Sequence, residues 1–259
     1  MPAGMNPRLL LGALLLAPGL RAEPALALGD NEALVYHVSW GVLPGVGQIR
    51  VSAHAAVDPR GAPEMRIVTT TSTRGLAWVI LPFDARAESL FDVVQGRLLW
   101  IGETSTTRTR ENALTGTFDY ARRVADFTDR TRTPENETVP MPPGDPTDLI
   151  TCLLSARTWN LYPGQKRDAL VIFKDDFYQL TIHALGYETV ATPVGTYRAI
   201  VLEPRMEETP PKGMFRRGST VRVWIAEDPR RLPVRFLVHF SFGTGVATLS
   251  EYHPPGPAR

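Results

Sequence analysis

Cysteine is almost missing from this chain: Cys152 stands alone among 259 residues. An intramolecular disulfide is thereby excluded, as is any metal site built from several thiolates. No cysteine lies near the N-terminus to accept a lipid. An excess of either charge is missing too, since 28 Lys and Arg stand against 27 Asp and Glu for a formal net charge of +1. Without a positive field across the domain nothing holds a phosphate backbone, so nucleic acid is not an expected partner. Lysine is scarce, confined to Lys166, Lys174 and Lys212. After residue 27 no apolar run reaches the roughly 20 residues that a membrane-spanning helix needs.

Groups for catalysis are also few. No G-x-S-x-G elbow is present, and Ser219 follows Gly218 without an obvious base. The acidic pairs Asp175-Asp176, Glu207-Glu208 and Glu227-Asp228 fall in turns or loops. Neighbours on a strand point to opposite faces, so none of these pairs makes a converging acid–base dyad. Five histidines occur, His37, His54, His183, His239 and His253. No two have the i, i+2 or i, i+4 spacing that aims two imidazoles at one metal. His37 and His54 either approach each other across a first hairpin or stand apart. No glycine-rich loop joins a strand to a helix, which leaves nucleotide binding unsupported. The expectation is no catalytic residues, no metal and no cofactor.

What the chain does have begins with an export signal. Arg8 supplies a positive segment, Leu9 to Leu20 an apolar one, and Ala25-Leu26-Ala27 the small-x-small cleavage pattern. A second cut is available after Ala22, and an uncleaved anchor is the alternative. Residues 1–27 are thus read as a signal peptide, 28–253 as one β-rich domain and 254–259 as a disordered tail. The mature protein, about 230 residues, is long enough to bury a real core. It is expected in the periplasm or secreted, with no transmembrane span.

Period-two alternation runs through that domain. In ALVYHVSW, Leu34, Tyr36, Val38 and Trp40 share a face; after Pro44-Gly45, GQIRVSAHAAV alternates again, and Asp58 to Gly61 turns the chain into EMRIVTTTST. RGLAWVILPF is too short for its period to decide between helix and strand. ARAESLFDVV and RLLWIGETSTTRT follow, then LTGTFDY and RVADFTD. The loop 133–145, rich in proline, marks a crossing of the fold or a subdomain boundary. DPTDLITCLLSART reads as a helix, with Asp145 as cap, Pro146 in the first turn and a stripe of Leu149, Cys152, Leu153 and Ala156. That stripe makes Cys152 a small buried apolar residue rather than a reactive thiol. Beyond it DALVIFK, FYQLTIHAL, YETVATP, GTYRAIVLEPRM, TVRVWIAED, PVRFLVHFSF and GVATLSEY give strand after strand. In VRVWIAEDPRRLPVRF, Glu227 to Arg230 supply turn chemistry for a hairpin.

Four stretches carry a resemblance: YHVSWGVLPGVGQIRV; GDPTDLITCLLSART with WNLYPGQ; GYETVATPVGTYRAIVLEPRM; and VRVWIAEDPRRLPVRF. In that order and spacing they resemble the exported bacterial family called domain of unknown function 3108, over roughly Asp30 to Tyr252. That family brings no activity and no catalytic residues. TPVGTYRA followed by VWIAEDPRRLPVR is more distantly similar to the late strands of periplasmic lipoprotein carriers. That similarity implies an unclosed β-barrel, with a helix over an apolar cavity that holds acyl chains.

The fold expected is mainly β, an antiparallel curved sheet or open barrel-like fold with one or two short helices. Tyr36, Trp40, Trp78, Trp100, Trp224 and Phe236 are the candidates to bind a ligand, either lining a concave face or filling the core. Arg108, Arg110, Arg122, Arg123, Arg130 and Arg132, interleaved with acids, suit a solvated sheet edge. The function expected is a non-enzymatic envelope protein that binds a lipid or other amphiphile. The alternative is an envelope protein-interaction module without a small-molecule ligand, and a hydrolase without a recognisable motif stands third.

Overall fold

A computed structural model describes residues 26–80, 82–131 and 135–256. The signal-peptide reading of residues 1–25, Arg132 and the end of the tail lie outside the described residues. Fifteen strands form a single sheet: β1 (Ala33–Trp40), β2 (Leu43–Val57), β3 (Pro63–Thr73), β4 (Phe83–Asp92), β5 (Arg97–Thr107), β6 (Glu111–Asp119), β7 (Val124–Asp129) and β8 (Glu135–Pro140) make its first half. The second half is β9 (Thr147–Asp148), β10 (Lys166–Phe173), β11 (Asp176–Thr192), β12 (Gly195–Arg205), β13 (Thr220–Ala226), β14 (Pro233–Phe240) and β15 (Gly243–His253). Two helices, α1 (Gly75–Ile80) and α2 (Leu149–Ser155), and two 3-10 turns complete it.

The strand order is β8-β7-β6-β5-β4-β3-β2-β1-β15-β14-β13-β12-β11-β10-β9, antiparallel except where β9 meets β10. First and last strands therefore pair in the middle, and the two edges come from the middle of the chain. Laid flat, fifteen strands would span roughly 65–70 Å at the usual strand spacing. The link from Pro140 on β8 to Thr147 on β9 can stretch only about 25 Å. The sheet must curl. It does so without closing: Arg97 of β5 pairs with Asp145 just before β9 at 3.3 Å, and no ladder joins β8 to β9.

Alternation fills the curl. Leu34, Tyr36, Val51, Ala53, Ile67, Phe91, Leu98, Phe118 and Phe127 join Val201, Trp224, Val234 and Leu249 in one buried core. A second core gathers Val171, Leu180, Ile182, Ile200, Leu202, Val223 and Ile225 with the helix α2. Successive residues of β12 and β13 enter different cores, so the hairpin VRVWIAEDPRRLPVRF is buried on both faces of its first strand. Helix α2 sits between the cores: Leu149, Cys152 and Leu153 enter the second and Leu154 the first.

Four expectations are revised by the backbone. Asp148, not Asp145, caps α2, accepting from the Thr151 N–H at 2.9 Å, because Thr147 and Asp148 are drawn into β9 beside Val171 and Ile172. FYQLTIHAL and YETVATP form the single 17-residue β11, bent by a bulge between Ala184 and Gly186. The proline-rich loop holds β8. Pro254 to Gly256, expected in the disordered tail, is held where the Gly256 N–H donates to the Asp30 carbonyl at 2.9 Å.

Candidate functional site: an apolar end of the sheet

The antiparallel meander sorts its turns to two ends. At one end lie the β1–β2 turn, the β3–β4 connection with α1, the β5–β6 turn and the β14–β15 turn, together with the β7–β8, β10–β11 and β12–β13 connections. The first turn is Gly41-Val42, with Trp40 opposite Leu43, rather than the expected Pro44-Gly45, which lies inside β2. Gly41 supplies the positive φ of 55° that a two-residue hairpin loop needs at its first position. That shift puts Val42 at the tip, 95% exposed, with Leu43 also in solvent. Ser241-Phe242 turns β14 into β15 beside it, and Phe242 is 67% exposed. The Gly41 N–H donates to the Thr244 carbonyl at 2.9 Å and ties the two turns together.

Three rings stack there. Trp40 and Phe242 lie 5.8 Å apart between centroids, and Phe242 and Phe240 lie 5.2 Å apart and nearly parallel. The seat for the indole is made of glycine: a Cβ on Gly243 would come within 2.6 Å of Trp40 Nε1, and one on Gly245 within 3.2 Å of the ring. Helix α1 adds Trp78, Val79 and Ile80, all exposed, and is anchored to β2 where the Arg74 N–H donates to the Val46 carbonyl at 2.9 Å. Arg108, from the β5–β6 turn, donates to the Val79 carbonyl at 2.7 Å and so satisfies an orphan group at the helix end. Arg74 reaches Gln48 at 2.6 Å. Charges here are mixed: Arg74, Arg108 and Arg110 are flanked by Asp84, Glu103 and Glu111, and Arg110 shares a recess with Glu103, Asp129, Lys174 and Asp175.

The six aromatic candidates thus part into three places. Tyr36 and Trp224 lie in the core, where their polar atoms already have partners, and Phe236 is half-buried against it. The Tyr36 hydroxyl donates to the Pro233 carbonyl at 2.9 Å, burial pushes that phenol well above its ordinary pKa, and Phe236 packs edge-on to it at 5.2 Å. Trp224 Nε1 donates to Glu188 at 2.8 Å. Trp100 lies against Gly102, in a shallow recess with Arg86 and Glu88. Only Trp40 and Trp78 come to the apolar end. The others found there, Val42, Leu43, Val79, Ile80, Phe240 and Phe242, escaped the sequence reading. The available signal was large apolar residues at turn centres, in WGVL and FSFG, where Asn, Asp or Ser would be usual.

A second concavity, of about 460 Å³, opens beside α2 and is lined by Cys152, Trp159, Arg167, Asp168, Gln179 and Thr181 among others. Its walls are mixed in polarity. Arg167 lies over the Trp159 ring at 4.9 Å, and Asp168 accepts from Thr181 at 2.8 Å. Burial pushes the Cys152 thiol up to about 12, with Asp148 adding to the effect, so at neutral pH it is a thiol and not a nucleophile. His37 pairs with Gln48, six residues from His54 along β2, or about 20 Å at the usual rise, so the two imidazoles do not meet. Among the described residues no three His, Cys, Asp or Glu side chains are grouped to hold a metal ion, and no helix is long and apolar enough to cross a membrane.

Comparison with known proteins places the chain among uncharacterised relatives. A family model described as "Protein of unknown function (DUF3108)" matches residues 35–250. No curated protein matches. Among solved structures, a β-barrel-like protein of domain of unknown function DUF1849 from Brucella abortus aligns at 5% identity with a TM-score of 0.56, covering 89% of this chain and 100% of that one. A "putative lipoprotein" from Parabacteroides distasonis covers 88% of this chain and 98% of its own at 10% identity, TM-score 0.35. A "putative exported protein with YmcC-like fold" from Bacteroides fragilis covers 87% and 97% at 11% identity, TM-score 0.33. The first of these likenesses concerns the fold; the other two are too slight to carry an argument.

Proposed function

Since the chain belongs to the family of proteins of unknown function DUF3108, whose description assigns no activity, we propose a function from the geometry: an exported, periplasmic protein without enzymatic activity, which binds an apolar or amphiphilic component of the cell envelope at the apolar end of its sheet. The observation that carries this reading is a contrast in where the apolar side chains go. The inside of the curl is packed with buried side chains, whereas Val42, Leu43, Trp78, Val79, Ile80 and Phe242 are left in water on turns and on one short helix. A cluster of large apolar groups exposed together marks a contact surface. The N-terminal segment supports export. An amphiphile is therefore met on the outside of the fold, not carried within it.

Cell fractionation tests the proposal. The wild-type protein is expected to sediment in part with envelope membranes. The double variant Val42→Asp, Phe242→Asp is expected to stay in the soluble periplasmic fraction, with an unchanged circular dichroism spectrum. Equal distribution of the two proteins would overturn the reading.

A further inference from the structure

We infer that the free edge of β10 receives an extended peptide segment as an added strand, at a site separate from the apolar end and beyond the function proposed above. The edge is left open by the brevity of its neighbour. Strand β10 runs from Lys166 to Phe173, but β9 pairs only with Val171 and Ile172. Among the described residues no ladder covers Asp168, Ala169 or Leu170 on the side away from β11. On such an edge the N–H and C=O groups of alternate residues point outward, available to another strand.

The concavity of about 460 Å³ beside α2 lies along this edge. Asp168 and Ala169 are neighbours on one strand and point to opposite faces, yet both line it. A hollow reached from both faces of a strand lies at its edge, in the plane of the sheet. One flank belongs to the second core, with Cys152, Trp159 and Leu180, and Ala169 pairs across to Leu180 there. The other flank is polar, with Asp168 paired to Thr181 and Gln179 beside them. Residues 143–145, leading up to β9, line the hollow as well.

These features select a peptide backbone. An acyl chain would leave the outward peptide groups of β10 and the polar flank without hydrogen-bond partners. A strand laid beside β10 meets those groups with its own, and its side chains fall by turns on the apolar and the polar flank. The class of sequence follows: apolar residues at every second position, hydroxyl or amide residues between them. Asp168 does not bar the way, because Thr181 donates to its carboxylate at 2.8 Å and holds it on the face of the sheet. The other edge strand, β8, differs: Asn136, Glu137 and Thr138 are exposed in succession, which suits an edge kept in water.

The test uses the exported protein purified from the periplasm and, as probe, acetyl-Thr-Val-Thr-Val-Thr-amide at about 1 mM. Amide hydrogen exchange read by NMR is expected to slow about tenfold at one or more of Asp168, Ala169 and Leu170. Two further peptides carry N-methyl groups, one on its valines and one on its threonines. Only alternate N–H groups of an added strand face β10, so one of the two is expected to bind about tenfold less than the parent. Ser155→Phe puts a ring into the hollow from α2 and is expected to weaken binding by a similar factor with an unchanged urea midpoint. If that variant unfolds more easily, the methylated pair decides. Absence of protection at all three amides, or equal binding by the parent and both methylated peptides, overturns the inference. The Val42→Asp, Phe242→Asp variant is expected to bind the peptide as the wild type does, so the envelope contact and the peptide site fail or stand separately.

Discussion

The two ends of the sheet are built on different principles. At one end the turns are clamped by aspartates. Asp58 accepts from the N–H groups of Arg60 and Ala62, Asp92 from those of Val94 and Gln95, Asp119 from those of Ala121 and Arg122, and Asp228 from that of Arg231. There too a buried ion pair joins Glu32, ahead of β1, to Arg157 after α2 at 2.7 Å; the same guanidinium holds the carbonyls of Ala27 and Arg230, and Arg231 returns bonds to the carbonyls of Arg157 and Trp159. At the other end the two adjoining hairpin turns rely on glycines and leave apolar side chains in solvent. Aspartate-clamped turns predominate at one end of the antiparallel meander, and large exposed apolar groups stand on the β1–β2 and β14–β15 turns at the other.

Substitutions can break that contrast in order of size. Arg157→Met leaves the Glu32 carboxylate buried without its partner and is expected to cost about 3–5 kcal/mol in urea unfolding. Asp92→Ala and Asp119→Ala each remove two bonds to turn N–H groups in partly solvated surroundings and are expected to cost about 1 kcal/mol apiece. Val42→Ser alters a side chain that is 95% exposed, and unfolding should move by no more than about 0.5 kcal/mol. Equal losses at both ends would dissolve the distinction.

Acid sharpens the picture elsewhere on the sheet. Burial alone would raise the pKa of Glu203, but hydrogen bonds from Arg222 and Arg205 outweigh it and hold the carboxyl below its usual range. A depressed folded-state value means the stabilisation is complete above the unfolded value of about 4.3 and is lost as pH falls through the folded one. Glu203→Gln should therefore flatten the acid limb of a stability profile; an unaltered limb would show that this cluster contributes little.

Much of the sheet was legible in the sequence because alternation and turn residues are local signals. The hairpin at Val221 to Phe240 is an example: its turn and both its faces follow from residue order, and so does the burial of Cys152 on its helical stripe. The register at Trp40 was harder. Pro44-Gly45 is the stronger turn dipeptide, yet pairing of β1 with both β2 and β15 sets the turn at Gly41, where it meets the β14–β15 turn. Nothing local says that Val42 and Phe242, 200 positions apart, become neighbours. The aromatic candidates failed to assemble for the same reason, since which face a ring occupies follows from period but which residues meet it follows from the curl. The cap at Asp148 depended on a parallel contact with β10 that no neighbouring residue announces.

The grip of Arg157 on the Ala27 carbonyl distinguishes between the two cleavage positions that an export signal would offer. Leu26 packs against the first core and Ala27 offers its oxygen to that guanidinium, so a peptidase cutting after Ala27 would discard both contacts. Hydrolysis after Ala22 would leave Glu23 as the amino terminus, four residues ahead of Ala27, with the fastening intact.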